Sequence, residues 1–359
     1  IAIFLLAGRP LEVIVAGASF GSAVGGILGF VFLAVFFMWY YKRNHPTNVV
    51  EPTTQESTGD MLKQLLYYAI PISIGALVLP IMQLIDSTLD ITRLEASGMA
   101  HSQALVQYGY LASYAMPIIN LPFIITTAVS ASLVPTIANL YEQKDHDGVN
   151  NNIRTSLMLT IILMLPAAAG LATLGTPICT LLYNNSASGA ALSYVAFTVL
   201  AVGVYQVSGG ALQGLGRVFI PMSSLIIGAI IKAVLNYVLL AQPGADIRMA
   251  AISTVVAFTV AALHNLYQLG RIVGWKWFSL KQLVIKPVVA TLVMAIAVTA
   301  VKFFFVDLIG RAFLIPACGV VVGVVVYFVV LFLIGGIDRD TLEKVPKIGP
   351  KLASKWGGK

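Results

Sequence analysis

The chain has 359 residues, of which 58% are hydrophobic and only 10% charged, with a mean hydropathy of +0.89. A soluble domain carries about 25% charged residues, so most of this surface must face hydrocarbon, which excludes a soluble enzyme or a nucleic-acid-binding module. The two cysteines, Cys179 and Cys318, lie far apart in apolar runs; they read as small core residues and exclude a disulfide scaffold or a thiolate metal site. The apolar runs last about 20 residues or more, twice what a barrel strand needs, and predict an all-α integral membrane protein.

In chain order, residues 1–6 are too short to cross about 30 Å of hydrocarbon and read as the end of a spanning helix, in a chain truncated at its N-terminus. Nine full spans are predicted at 13–40, 65–89, 108–140, 156–182, 192–215, 219–240, 249–269, 284–306 and 313–334, separated by polar or Pro/Gly-marked segments. Of the 22 basic residues, 16 fall in one set of alternate connections and four (Arg9, Arg93, Arg248, Arg311) in the other. The positive-inside rule makes the richer set cytoplasmic, the C-terminal tail included. The formal charge of +7 thus orients helices and meets anionic lipid heads rather than nucleic acid.

Within the spans, Gly17, Gly21, Gly25 and Gly29 recur every four residues, and Gly210 with Gly214 and Gly319 with Gly323 repeat the spacing. These are stripes where helix backbones can approach closely. In the span 108–140, Pro117 and Pro122 flank Asn120 and Pro135 follows. Prolines free backbone carbonyls, which at membrane depth are tolerated where they face protein or a cavity, so a bent or broken helix is expected.

Ionisable groups inside a membrane are costly and mark functional sites unless they are paired for structural reasons. Lys232 falls near the middle of its span with Asn236 at i+4 on the same face. Asp86 is the expected counter-ion, although depths reckoned from the span ends differ by roughly 10 Å. Arg93 lies beyond Asp86, where it either meets an anionic head group or is a solvated loop residue. Gln83, Asn120, Tyr205 and Gln206 are either polar cavity lining or interhelical hydrogen-bonding groups, and His264 beside Asn265 reads as a satisfied polar residue. Lys302 reads as a snorkelling anchor. No P-loop, His-Glu-x-x-His or Gly-x-Ser-x-Gly occurs, and Asp338, Asp340 and Glu343 read as a helix-capping group rather than a metal-binding Asp-x-Asp, so no enzymatic activity is expected.

Three runs carry a resemblance: YAIPISIGALVLPIMQLIDSTLDITRL, YGYLASYAMPIINLPFIITTAVSASLVPTIANLYEQKD and GALQGLGRVFIPMSSLIIGAIIKAVLNYVLL. Together they resemble the stage V sporulation protein B and lipid II flippase branch of the multidrug/oligosaccharidyl-lipid/polysaccharide exporter superfamily. The resemblance implies a MATE-like bundle of fourteen helices, of which this chain would hold helices 5–14. Residues 1–40 would end the first lobe, 41–62 link it to a second six-helix lobe at 63–272, 273–337 form two extra helices flanking a groove for a polyprenyl tail, and 338–359 a basic cytoplasmic tail.

The implied activity is flipping a polyprenyl-linked sugar pyrophosphate across the bacterial cytoplasmic membrane by alternating access, with Gln83, Asp86, Arg93, Asn120, Gln206, Lys232 and Asn236 lining the path. Its partners would be that lipid-linked sugar and membrane lipids, with a monovalent cation or proton as coupling ion and no cofactor. A cation-coupled drug exporter and a non-transporting scaffold of a polysaccharide synthase are the alternatives. Some lipid II flippases bind sodium through an acidic residue of helix 7 with an Asn and an Asp one turn apart on helix 11. Asp86 matches the first in kind, but Lys232 and Asn236 stand in place of the pair, a departure that speaks against a sodium site and suggests a lysine ammonium as tethered cation.

Overall fold

The computed structural model describes residues 11–43, 57–309 and 314–336. Nine helices among them are long and apolar enough to cross a membrane, and no strand occurs. They are α1 (Leu11–Arg43), α2 (Thr58–Ala96), α3 (His101–Glu142), α4 (His146–Tyr183), α5 (Ser188–Gly214, with a turn after Val195), α6 (Phe219–Leu239), α7 (Ile247–Val273), α8 (Lys286–Ile309) and α9 (Leu314–Leu333). The protein is a multi-pass membrane protein. The expected stub at residues 1–6, most of the linker, Arg311 and the tail with Asp338, Asp340 and Glu343 lie outside the described residues.

The chain forms two units, Ile1–Met61 and Leu62–Lys359. The first holds α1, which ends on Lys42 and Arg43, cations suited to the negative end of the helix dipole. Inside this unit, no neighbour lies within 4 Å of a Cβ built on Gly21, Gly25 or Gly29, so the close packing expected of that stripe is not made there.

In the second unit, α5 is the central helix. It packs along α3, α4 and α7, while α6 lies against α7 and the α8–α9 pair leans on α4. The α3–α5 seam depends on small residues. A Cβ on Gly214 would lie 2.7 Å from the Val134 carbonyl oxygen and 2.8 Å from Ile137 Cβ, and one on Gly210 would strike Ser130. Across the same seam the Ser130 hydroxyl donates to the Gln206 carbonyl (2.8 Å) and Thr126 donates to Gln206 Oε1. On the adjoining face of α5 a second polar cluster ties α5, α6 and α7 together. Ser224 Oγ lies 2.7 Å from His264 Nδ1 and donates to Asn265 Oδ1 (2.6 Å), and Asn265 Nδ2 donates to the Tyr205 carbonyl (3.3 Å). His264 and Asn265 are therefore satisfied interhelical groups.

The irregularity expected in α3 is present, but the helix does not break. Residues Tyr110–Ala115 form a π-helical turn in which the Met116 N–H donates to the Leu111 carbonyl, five residues back, just before Pro117. A second π-turn, Lys281–Ile285, ends with the Lys286 N–H bonded to the Lys281 carbonyl just before Pro287. A proline ring crowds the carbonyl four residues earlier and removes a donor; the wider turn absorbs both faults without breaking the helix.

Gly214 leaves no room for a side chain, so Gly214→Ala is expected to destabilise the bundle by about 1–3 kcal/mol, the usual effect of overpacking. Gly109→Ala, where nothing lies within 4 Å of the new Cβ, should be neutral or stabilising by up to about 1 kcal/mol through helix propensity. Thermal unfolding of the two variants in detergent measures the contrast.

Candidate functional site

The α6 sequence segregates sharply by face. Pro221, Ser224, Leu225, Gly228, Lys232 and Asn236 are buried, whereas Ile230, Val234 and Tyr237 are 55–60% exposed. The exposed face is thus apolar, and the Lys232 ammonium and, one turn on, the Asn236 amide face inward, as their cost in hydrocarbon demands.

Lys232 Nζ forms an ion pair with Asp86 Oδ2, with side chains 6% and 15% exposed. One turn further along both helices, Asn236 Nδ2 donates to Asp90 Oδ1 (2.7 Å) and more loosely to Asp86 Oδ1 (3.4 Å). Because the i and i+4 residues of α2 meet the i and i+4 residues of α6 in the same order, the two helices run parallel here. The depth mismatch reckoned from sequence disappears for a definite reason. The span was taken to end at residue 89, but α2 continues to Ala96, so Asp86 stands seven residues, about 10 Å of helix, further from the end of its helix than that reading allowed.

Asp86 and Asp90 open on a cavity of about 290 Å³ that is also lined by Gln83, Tyr108, Ala112, Pro117 and Asn120. The π-turn lies in this wall: Leu111 and Ala112 belong to it. Of the sequence candidates, Gln83, Asp86 and Asn120 line this space, and Lys232 and Asn236 are bonded to its carboxylates. Two others lie elsewhere. Gln206 spans the α3–α5 seam through Thr126 and Ser130, the interhelical alternative for that residue. Arg93 is not a loop residue. It lies on α2, donates Nε–H to the Tyr237 carbonyl (3.0 Å) and stacks its guanidinium 3.9 Å from the Tyr237 ring centroid, at the C-terminal end of α6.

Asp90 and Tyr108 were not picked out from the sequence. Asp90 is fully buried although its position near the end of the apolar run resembles a loop acid. The signal that would have found it is the matching i,i+4 spacing of Asp86/Asp90 and Lys232/Asn236.

A second concavity, of about 380 Å³, is almost wholly apolar. It is walled by α3 (Leu121, Pro122), α4 (Pro166, Gly170), α8 (Met294, Val298) and α9 (Gly319, Gly323). The glycines make the space: nothing lies within 4 Å of a Cβ on Gly170, whereas one on Gly319 would touch Leu174 and one on Gly323 would touch Val298. Among the described residues no group of three or more His, Cys, Asp or Glu is placed to hold a metal ion.

Comparison with known proteins gives a consistent result. An uncharacterized membrane protein, YabM, of Bacillus subtilis is 28% identical over 96% of this chain and 64% of its own length. The lipid II flippase MurJ of the same organism is 24% identical over 94% of this chain and 63% of its own, and its stage V sporulation protein B is 23% identical over 94% and 64%. The chain thus spans a little under two thirds of these relatives. A solved structure of lipid II flippase MurJ in an inward closed conformation shares the fold, with a TM-score of 0.57 and 18% identity over 78% of this chain and 56% of that one. The model of the family described as "Lipid II flippase MurJ" matches residues 1–317, and the chain belongs to that family.

Proposed function

We propose that the protein moves a polyprenyl-linked sugar pyrophosphate across the bacterial cytoplasmic membrane by alternating access, within a fourteen-helix bundle of which this chain supplies helices 5–14. The observation that carries the reading is the buried Lys232–Asp86 pair beside a polar cavity. A merely structural membrane bundle gains little from such a pair, because desolvating both charges offsets most of their attraction. A translocation path needs polar groups at depth that can exchange partners. Gln83, Asn120, Asn236 and the Lys232–Asp86 pair form its wall, with the Lys232 ammonium as a tethered cation, and the Arg93 Nη groups stand at its outer end.

The apolar groove between α3, α4, α8 and α9 would receive the polyprenyl tail while the head group crosses beside it. This arrangement favours a lipid cargo over a drug, since α8 and α9 are the extra pair that the resemblance assigns to a lipid groove. No nucleotide-binding motif occurs in the sequence, so transport would run on an ion gradient, the membrane potential or the substrate gradient. The C-terminus would be cytoplasmic, from the distribution of Lys and Arg.

Lys232→Met leaves Asp86 as an uncompensated buried charge and is expected to destabilise the protein by about 3–5 kcal/mol. The double variant Lys232→Met/Asp86→Asn should recover most of that stability, read by thermal unfolding in detergent. Translocation of a fluorescent lipid-linked sugar pyrophosphate in proteoliposomes should stay lost in the double variant. Recovery of both together would mean that the pair only holds the fold.

Gly170→Leu places a side chain in the groove at a position where a Cβ meets nothing within 4 Å and helix propensity improves, so the protein is expected to keep its stability, checked by thermal unfolding. Flipping of a long-tailed substrate is expected to fall while that of a short-tailed analogue is largely kept. Equal loss for both would remove the groove from the lipid path.

A further inference from the structure

The hydrogen bonds around Asp90 do not close as a carboxylate would have them. Asn236 has two amide hydrogens, and both are used, toward Asp90 Oδ1 (2.7 Å) and Asp86 Oδ1 (3.4 Å). Among the described residues two buried oxygens then remain without a partner, Asp90 Oδ2 and Asn236 Oδ1, on residues that are both 0% exposed. Each is an acceptor, so neither can satisfy the other. Leaving two buried acceptors unmatched costs about 1–3 kcal/mol apiece. Turning the Asn236 amide over would be worse, since its oxygen would then face the carboxylate.

One hydrogen resolves both faults. A proton on Asp90 Oδ2 turns that oxygen into a donor, and the unmatched acceptor Asn236 Oδ1 belongs to the residue whose Nδ2 already bonds Asp90 Oδ1, so the two can close as a carboxylic acid does with a primary amide. The charges agree with this assignment. On α2, Asp86 is already paired with Lys232, and Arg93 is committed to Tyr237 of α6. On α6, Lys232 is the one cation facing the cavity, and on α3 the Tyr108 phenol is the one titratable group in its wall. Two carboxylates therefore share one ammonium, and the uncompensated unit charge is removed by one proton. A metal ion fits less well, because hard cations require several oxygen ligands and this one would sit beside a fixed ammonium.

We infer that Asp90 and Asn236 form a proton-binding site, loaded when Asp90 is a neutral acid bonded to the amide and unloaded when two carboxylates compete for Lys232. The cavity that Asp90 lines is the route by which the proton enters. Coupling of this site to transport rests on the flippase reading above; the site itself does not.

Infrared difference spectra of the purified protein in nanodiscs, recorded across a pH titration, test the site without any transport. The expected result is a protonated-carboxyl C=O band that disappears at high pH and is missing in Asp90→Asn, whose amide can donate to Asn236 Oδ1 and so keep the fold. In Asn236→Ala the band should move to higher frequency, as the acid carbonyl loses its donor. Absence of any Asp90-dependent band, or a signal that responds to added sodium at fixed pH and not to pH, would overturn the inference. In proteoliposomes carrying the labelled lipid-linked sugar, wild-type flipping should respond to an imposed pH gradient and Asp90→Asn should lose that response. An Asp90-dependent band without lipid movement in the wild type supports the proton site and overturns the flippase reading alone.

Discussion

A charge in hydrocarbon must find a partner or water, and few stretches of this chain defy that demand as plainly as the middle of α6. The ammonium of Lys232 can be tolerated there only because the rest of the bundle brings Asp86 to it. That requirement fixes much else. It holds α2 parallel to α6 and in register with it, and it forces one face of α6 inward while Ile230 and Val234 stay exposed on the other. It also places the carboxylates on the edge of a polar cavity instead of inside a packed core.

The helices around this pair are held in two different ways. The α3–α5 seam is an intimate fit in which Gly210 and Gly214 let backbones nearly touch, and the Ser224–His264–Asn265 cluster adds hydrogen bonds across α5, α6 and α7. By contrast the contacts of α2 named above are made by side chains. Val78 and Met82 reach a small cluster with Leu225 and Phe258, and Asp86, Asp90 and Arg93 reach α6. Polar contacts of this type can exchange partners with little disturbance of packing, whereas a glycine seam has a single good fit. The carboxylates thus stand on the more adjustable wall, and their partners on the more rigid one.

The nine spans, the inward pair on α6 and its counter-ion on α2 were all legible in the sequence, because each rests on a strong and local rule: hydropathy over about 20 residues, i,i+4 geometry and the cost of a buried charge. What failed was less local. The end of α2 was set by falling hydropathy, but the helix runs on to Ala96, and this hid both the true depth of Asp86 and the burial of Asp90. Gln206 shows another limit, since an amide bridging two helices and an amide lining a cavity have the same signature until the neighbouring helix is known. The prolines of α3 announced irregularity but not its form.

That form determines how the chain can vary. A π-turn contains one residue more than the α-helical path it replaces, so removal of a single residue from Tyr110–Ala115 would leave a plain α-helix. Because the extra residue is absorbed within that one widened turn, everything on its N-terminal side would keep its orientation against everything after Met116. Tyr108 would stay in the wall it shares with Asn120, and the change would fall on the residues of the turn itself, Leu111 and Ala112 among them. A one-residue change of length at this spot is thus absorbed inside the membrane helix, remodelling one patch of the chamber while the faces on either side are kept.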